Sequence, residues 1–447
     1  DGNEYFGPSG GEDAAVVLPD RLEQGKALVK DGTAYVEYAT AKENLNDHLY
    51  KSDEEQQVIL TTAVDIIKLP YDSNEYTTLT GNGMPYQIVV SQDGKVYIAL
   101  DYLAQYTALQ YSVEQEPLHI IINNQWGTKT FSDVIKEESV RLDADIKSPI
   151  LKKEATGDKV TVLEQEEEWT KVLTADGYIG YMKSKKLSDS YEEQVTSDFR
   201  AAEYTSIHKD YDMNLLWHQV TSQDSNDALA ADIQDVKGVN VISPTWFSIS
   251  SNDGDISSLA SSDYVDTAHQ NDMEVWGLMD NFSTDIDTDT VLGTTTSREN
   301  LEGQLITEAL NYQLDGINID IESLPEETSE SYVQFMRELS VKCRNNNLVL
   351  SVDVPSPYSF NEHYSQKELG EVVDYVIIMG YDEHYVGSDA GSVASLSYER
   401  DGITGTLENV PKEKIISGIP FYTRLWKTNA SGEVSSEAIG MDKADQI

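Results

Sequence analysis

The sequence predicts a mixed α/β protein whose larger, C-terminal part is a (β/α)8 barrel, preceded by two small β-rich domains. Three observations predict it. Seven β-runs alternate with helix-length segments after residue 205; one of them, Asp315 to Glu322, alternates apolar and polar residues; and two Asp-Gly turns upstream introduce near-copies of one another. Strands and helices in strict alternation specify a parallel sheet covered by helices.

At 447 residues the chain exceeds one ordinary domain, and length alone allows two to four. Lysine and arginine total 32 against 79 aspartates and glutamates, a formal charge of −47. Such an anion excludes nucleic acid and acidic membranes as electrostatic partners, and it is compatible with an uncharged polymer such as a polysaccharide. The single cysteine, Cys343, rules out a disulfide framework. No run approaches the roughly 18 apolar residues of a membrane span. Asp1 opens no signal peptide, so the expectation is either a cytoplasmic protein or an exported one whose leader was removed. The seven histidines are scattered without a metal-ligand spacing such as HExxH, and neither metal nor other cofactor is expected.

Residues 1–140 read as an α+β domain with two repeats, about 31–62 and 93–124. Asp31-Gly32-Thr33-Ala34-Tyr35-Val36 resembles Asp93-Gly94-Lys95-Val96-Tyr97-Ile98, an offset of 93 − 31 = 62, and the same offset aligns Val58-Ile59-Leu60 with Ile120-Ile121-Ile122. Each copy reads turn, strand, short helix, strand, with Asp-Gly as the hairpin signal. The pattern resembles the stalk domain related to the N-terminal domain of copper amine oxidases, found on exported proteins of Gram-positive bacteria. That resemblance implies spacing or surface attachment and no copper ligands.

Residues 143–188 change to short β-runs: Lys159–Leu163, Trp169–Val172 and Gly177–Tyr181. A Trp-x-Lys-Val strand followed by Gly-Tyr-x-Gly-Tyr resembles the bacterial SH3-like barrel of cell-wall proteins. Trp169 and Tyr181 either line a groove there or fill the small core. Residues 189–204, rich in Ser, Glu and Asp, read as a linker.

From 205 to 447 the strand candidates are Asn214–Val220, Val239–Phe247, Glu274–Met279, Asp315–Glu322, Leu348–Val354, Val373–Met379 and Ile415–Pro420. Helices are expected over Ser297–Tyr312 and Glu327–Arg344. The eighth strand is absent, and a polar loop is expected to run to Ile447. Because an incomplete barrel leaves open edges, the protein is expected to continue past that residue.

Within Asp315–Glu322, successive side chains point to opposite faces. Ile317, Ile319 and Ile321 make one face, and Asn318, Asp320 and Glu322 the other. Same-face neighbours lie about 6.6 Å apart. Two acids that close cannot both ionise freely, and one keeps its proton near neutral pH, as a general acid must. A solvated edge strand would show the same alternation. Leu314 before the run and a helix after Ser323-Leu324-Pro325 argue instead for a strand buried on both faces.

The run resembles the fourth strand of family 18 glycoside hydrolases, whose pattern is DxxDxDxE. Met379-Gly380-Tyr381-Asp382 resembles that family's M-x-Y-D, and the likeness extends over roughly 210 to 426. Ile242-Ser243-Pro244-Thr245-Trp246-Phe247 and Gly418-Ile419-Pro420-Phe421-Tyr422 resemble a bacterial branch that includes spore-cortex and peptidoglycan N-acetylglucosaminidases.

The resemblance implies substrate-assisted retention, in which the sugar's 2-acetamido oxygen attacks C1. Glu322 would protonate the glycosidic oxygen and later activate water. Asp320 would hold the acetamido N–H, and Tyr381 would donate its hydroxyl to the acetamido oxygen. Asp315 and Gly316 are structural members of the motif. Asn318 departs from the pattern: an amide does not titrate, yet it can still hydrogen-bond Asp320, and it removes one charge from near Glu322. That change is expected to shift the pH optimum. Trp246, Tyr422, Arg424, Met379 and Asp382 are the substrate-contact candidates. Trp276, Trp426 and the pair Asp280-Asn281 also fall near strand ends, while His218 and His384 are expected to serve structure.

The expected function is an extracellular or cell-wall-associated glycosidase of a Gram-positive bacterium. It would cleave β-1,4 linkages next to N-acetylglucosamine in peptidoglycan or chitin-like polymers and reach the wall through the SH3-like domain. The alternative from another class is a non-catalytic, lectin-like wall protein. An endoglycosidase acting on N-linked glycans would use the same machinery.

Overall fold

The computed structural model describes residues 2–7, 11–78 and 82–447; Asp1, with which the sequence opens, lies outside them. The chain divides into two compact units, Asp1–Ala202 and Glu203–Ile447.

Among the described residues the first unit holds two seven-stranded sheets, a three-stranded one and a two-stranded one. The Asp-Gly turns fold as their composition requires: Asp31 and Gly32 have φ of 50° and 80°, Asp93 and Gly94 of 51° and 75°. Positive φ at both central residues is the hairpin geometry that matches strand twist. The following strands, Thr33–Glu37 and Lys95–Ala99, pair antiparallel with Val36 opposite Ile98. Since 98 − 36 = 62, the repeat meets itself about a local two-fold. Beyond this the copies diverge. Each short helix (Tyr38–Asn44, Leu100–Leu103) leads into a hairpin rather than the expected single strand. Gln57–Thr61 enters the three-stranded sheet, whereas Leu118–Asn123 enters the large one.

The second sheet contains Lys159–Gln165, Trp169–Leu173 and Ile179–Lys183 in antiparallel order. Trp169 is buried with the Lys183 ammonium 4.0 Å above its ring, on the face of its strand opposite Val172, which is part of the small core. Tyr191–Val195, read from composition as linker, is instead a strand paired with Gly127–Asp133. Its polar side chains are tolerated because this edge of the sheet is solvated and the pairing is carried by backbone groups.

In the second unit seven parallel strands run in sequence order: β1 (Leu215–His218), β2 (Val241–Ile249), β3 (Glu274–Asp280), β4 (Gly316–Asp320), β5 (Val349–Pro355), β6 (Tyr375–Met379) and β7 (Ile415–Gly418). Helices α1 (Ser262–Gln270), α2 (Thr295–Asn311), α3 (Ser329–Asn345), α4 (Gln366–Val372) and α5 (Leu396–Leu407) lie between them. Ile317, Ile319 and Ile321 join the core packed against these helices, with Leu305, Phe335 and Leu339. Each buried side chain of that size contributes about 1.5–3 kcal/mol.

Among the described residues β7 does not pair with β1, so the sheet curls without closing. Seven strands of the expected barrel are present, and the edge left open is the one where the sequence offers no eighth strand. After β7 the expected polar loop is a β-hairpin, Tyr422–Thr428 with Val434–Gly440, followed by a helical turn at Met441–Ala444. Alternation of Tyr422, Leu425 and Trp426 with polar residues was too irregular to announce it.

Candidate active site

Parallel strands deliver all their C-terminal ends to one side of the sheet, and the concave face is layered. Val241, Trp276, Val349 and Tyr375 form an apolar layer at the N-terminal end. Trp276 belongs to it: its ring stacks on Tyr375 at 5.5 Å and its indole N–H donates to Glu274 at 3.0 Å, far from the rim where its place in the sequence had put it. Below it, Asp315 accepts hydrogen bonds from the Val275 N–H at 2.8 Å and faces His269 Nε2 at 2.8 Å. Gly316 is needed because a Cβ there would meet the Val349 carbonyl at 2.8 Å.

The next layer centres on Asn318, which is wholly buried. Its Oδ1 accepts from Trp217 Nε1 at 3.1 Å and from Ser243 Oγ at 3.2 Å. Its Nδ2 donates to Ser351 Oγ at 3.0 Å and to Asp353 Oδ1 at 2.8 Å. All four hydrogen-bonding capacities of the amide are then used. None goes to Asp320, contrary to expectation. Neighbours along a strand are about 6.6 Å apart, whereas adjacent strands are about 4.8 Å apart, so the amide reaches sideways.

The layer at the rim carries the acids. Asp320 is 8% exposed and its Oδ1 has no hydrogen-bond partner. Burial, then the charges of Glu322 and Asp280, push its carboxyl up to about 8. Asp280 is its register partner on β3. Glu322 lies just past β4, half-buried, and burial followed by Asp382 and Asp280 raises its carboxyl too. Asn281, directly after β3, holds the Glu322 backbone at both ends: Oδ1 accepts from its N–H at 2.9 Å and Nδ2 donates to its C=O at 3.0 Å. The chain then turns through Ser323 at φ 51°, a left-handed conformation that non-glycine residues adopt at a cost. Glu322 and Asn281 line a cleft of about 420 Å³ with Phe282 and Thr288.

Tyr381 follows β6. Its ring stands edge-on to Trp217 at 6.3 Å and to Tyr422 at 6.2 Å. Burial, then the charges of Asp353, Asp320 and Glu322, keep its phenol protonated and able to donate. Trp217, Tyr381, Gly418 and Tyr422 line a second cleft of about 400 Å³. The next residue, Asp382, is exposed at φ 59° and accepts a 2.6 Å hydrogen bond from the Tyr422 hydroxyl. Tyr422, Arg424 and Trp426 share one face of the hairpin. Arg424 donates to Ser436 at 3.1 Å, and Trp426 donates to the Gly391 carbonyl at 2.9 Å.

Asp320, Glu322, Tyr381, Asp382 and Tyr422 therefore meet at one rim. Met379 ends β6 half-buried beside them. Trp246 does not join them. Counting from inward-facing Ser243, it points to the helices, where it is 1% exposed, packs against Tyr264 at 4.9 Å and donates to Asn226 at 2.8 Å. His218 is held between Tyr264 and Asp232, and His384 against the Ser392 carbonyl. Sequence reading missed Asp353 and Trp217. A lone acid inside the apolar run Val349–Pro355 was the available signal for Asp353; nothing marked Trp217. Among the described residues no group of three His, Cys, Asp or Glu side chains is arranged to hold a metal, and no helix is long and apolar enough to cross a membrane.

Residues 276–446 match the family model of glycosyl hydrolases family 18, and residues 139–188 match that of the bacterial SH3 domain. The chain is 27% identical over 200 residues to the uncharacterized glycosylase YvbX of Bacillus subtilis (strain 168), covering 42% of this chain and 58% of that protein. It is 26% identical over 152 residues to the cortical fragment-lytic enzyme of Bacillus anthracis, covering 33% of this chain and 35% of that one. The crystal structure of the Bacillus megaterium QM B1551 spore cortex-lytic enzyme SleL aligns with a TM-score of 0.46 at 20% identity, over 57% of this chain and 61% of the other. The chain thus spans between about a third and three fifths of the length of the two curated relatives.

Proposed function

We propose that the family 18 domain carried by this chain hydrolyses β-1,4 linkages next to N-acetylglucosamine in peptidoglycan or chitin-like glycans. The observation that carries the reading is the meeting of Asp320, Glu322 and Tyr381 at one strand-end rim, within the segment that matches the family model. Glu322, whose carboxyl holds its proton above the ordinary range, donates it to the glycosidic oxygen. The substrate's 2-acetamido oxygen then attacks C1. Asp320 receives the acetamido N–H and offsets the growing positive charge. Tyr381, kept protonated, orients the acetamido oxygen by donating to it. Water activated by Glu322 opens the resulting oxazolinium ring. General acid catalysis contributes about 10²–10⁴-fold, and the fixed orientation of the neighbouring group much of the remainder.

Bacterial wall is favoured over foreign chitin by the SH3 domain and by a curated relative named as a cortical fragment-lytic enzyme. On this reading the protein works outside the cell or on its wall, and the N-terminal repeats serve as a spacer. The test is incubation with purified peptidoglycan, chitin oligomers and a glycoprotein, with released ends identified by mass spectrometry. Release from the first or second substrate, abolished in Glu322→Gln with binding retained, is the expected result. Retention of all three substrates without cleavage establishes the lectin-like alternative instead.

A further inference from the structure

The acids of the rim do not end with the 315–322 run. Asp353 lies inside β5, 1% exposed, on the same concave face. β4 and β5 are parallel with an offset of 351 − 318 = 33, and the same offset, 353 − 320 = 33, sets Asp353 beside Asp320. Adjacent strands lie about 4.8 Å apart, so Asp353 flanks Asp320 on the β5 side as Asp280 does on the β3 side.

We infer that Asp353 and Asp320 hold a single proton between them, which makes Asp353 a positioning residue of this site. Asp353 Oδ1 accepts the Asn318 N–H at 2.8 Å, and the Trp217 indole also acts as a donor to this carboxyl; a proton on Asp353 then sits on the oxygen that Asn318 does not use. The buried, partnerless Oδ1 of Asp320 then gains a donor on the neighbouring strand. Two adjacent carboxylates in a dry interior cannot both be charged, and the pair gives up its protons in two well-separated steps.

The groups facing Asp353 fit this assignment. From β4 and its end come Asn318, Asp320 and Glu322; from β1, the Trp217 indole; from α3, the Tyr332 phenol; from the end of β6, the Tyr381 phenol. The charged members act to keep Asp353 protonated, as burial does. Asn318, being unable to titrate, serves as the fixed donor that sets which Asp353 oxygen is free. On the hydrolase reading, the dyad keeps one negative charge throughout. That charge receives the acetamido N–H, while net proton transfer runs through Glu322.

The test reads the proton directly, so it stands even if no substrate is cleaved. Aspartate in the full chain is labelled with ¹³C at the carboxyl, and the Asp320 signal is assigned by its loss in Asp320→Asn. In Asp353→Asn the Asp320 midpoint is expected to fall by at least one pH unit. An Asp320 titration that moves by less than about 0.3 unit overturns the assignment. The exchange variant Asn318→Asp with Asp353→Asn keeps the hydrogen-bonded pair and returns a carboxyl to Asp320's surroundings. It is expected to restore a raised Asp320 midpoint, and it serves if the single variant fails to fold. If the wild type cleaves, the pH profile of kcat in Asp353→Asn shifts by at least half a unit with KM within about twofold. An equal loss of activity at every pH argues for a merely structural residue.

Discussion

Asn281 grips Glu322 by its backbone, accepting from the N–H at 2.9 Å and donating to the C=O at 3.0 Å, while also donating to Thr288 at 2.9 Å. The grip fixes where the Glu322 carboxyl stands without touching it. Asn281→Ala should lower kcat by about 10–100-fold, since a displacement near 1 Å costs that much, and leave KM within about threefold. Steady-state kinetics checks this; a rise in KM at constant kcat would refute the positioning role.

Asp320 should cost stability at neutral pH. Burial and the neighbouring Glu322 and Asp280 charges push its folded-state carboxyl up to about 8, so the folded state holds a proton that the unfolded chain releases, and stability declines as pH rises toward 8. Asp320→Asn removes that decline. Its melting temperature should match wild type near pH 4 and exceed it increasingly up to about pH 8. Thermal melts across that range decide the matter, and identical pH slopes for the two proteins would contradict it.

The raised carboxyl of Glu322 predicts the position of the basic limb of any hydrolytic pH profile. Activity needs the protonated form and is lost as pH climbs through the folded-state value. That limb should lie above the range of an ordinary glutamate, and Asp382→Asn should move it downward by removing the largest of the charges acting on Glu322. A pH series of kcat on soluble oligosaccharide measures both.

Trp246 is a packing residue, and its substitution separates stability from binding. Trp246→Phe leaves the Asn226 carbonyl oxygen, which accepts the indole N–H at 2.8 Å, without its donor in a buried place. The expected loss is about 1–3 kcal/mol of stability, with substrate affinity unchanged. Tyr422→Phe should do the reverse, because its hydroxyl bonds Asp382 at the rim. Denaturant melts and glycan-binding titrations on both variants test the contrast.

Between α2 and α3 the buried guanidinium of Arg298 donates to Glu338 at 2.8 Å and 3.3 Å. Both side chains are essentially unexposed. Glu338→Ala removes the carboxylate that accepts two of the Arg298 hydrogen bonds and should cost about 3–5 kcal/mol. Replacing both partners by apolar residues of similar volume should cost less than the single change, as a double-mutant comparison of melts would register.

Most of the barrel was readable from order and period. The expected strand Glu274–Met279 differs from β3 by one residue, and the expected helix Ser297–Tyr312 is α2 within two. Ile317, Ile319 and Ile321 face the helices while Asn318 and Asp320 face inward, as alternation requires. Less regular stretches hid their structure. Tyr191–Val195 and the hairpin from Tyr422 to Gly440 are stabilised by backbone pairing with distant or following segments, and their composition does not announce it.

Residue order alone settled the succession of the seven parallel strands, the two Asp-Gly turns and which side chains of Asp315–Glu322 share a face, because these follow from local backbone sterics and side-chain period. Tertiary packing decided who meets whom: Asn318 with Asp353, Asn281 with the Glu322 backbone, Tyr422 with Asp382, and Trp246 with the helices. Those partners lie between 18 and 41 residues apart in sequence, as Asn281 and Glu322 or Trp246 and Tyr264 do. Only strand register and helix packing, which depend on the whole sheet at once, bring such residues within hydrogen-bonding or ring-contact distance.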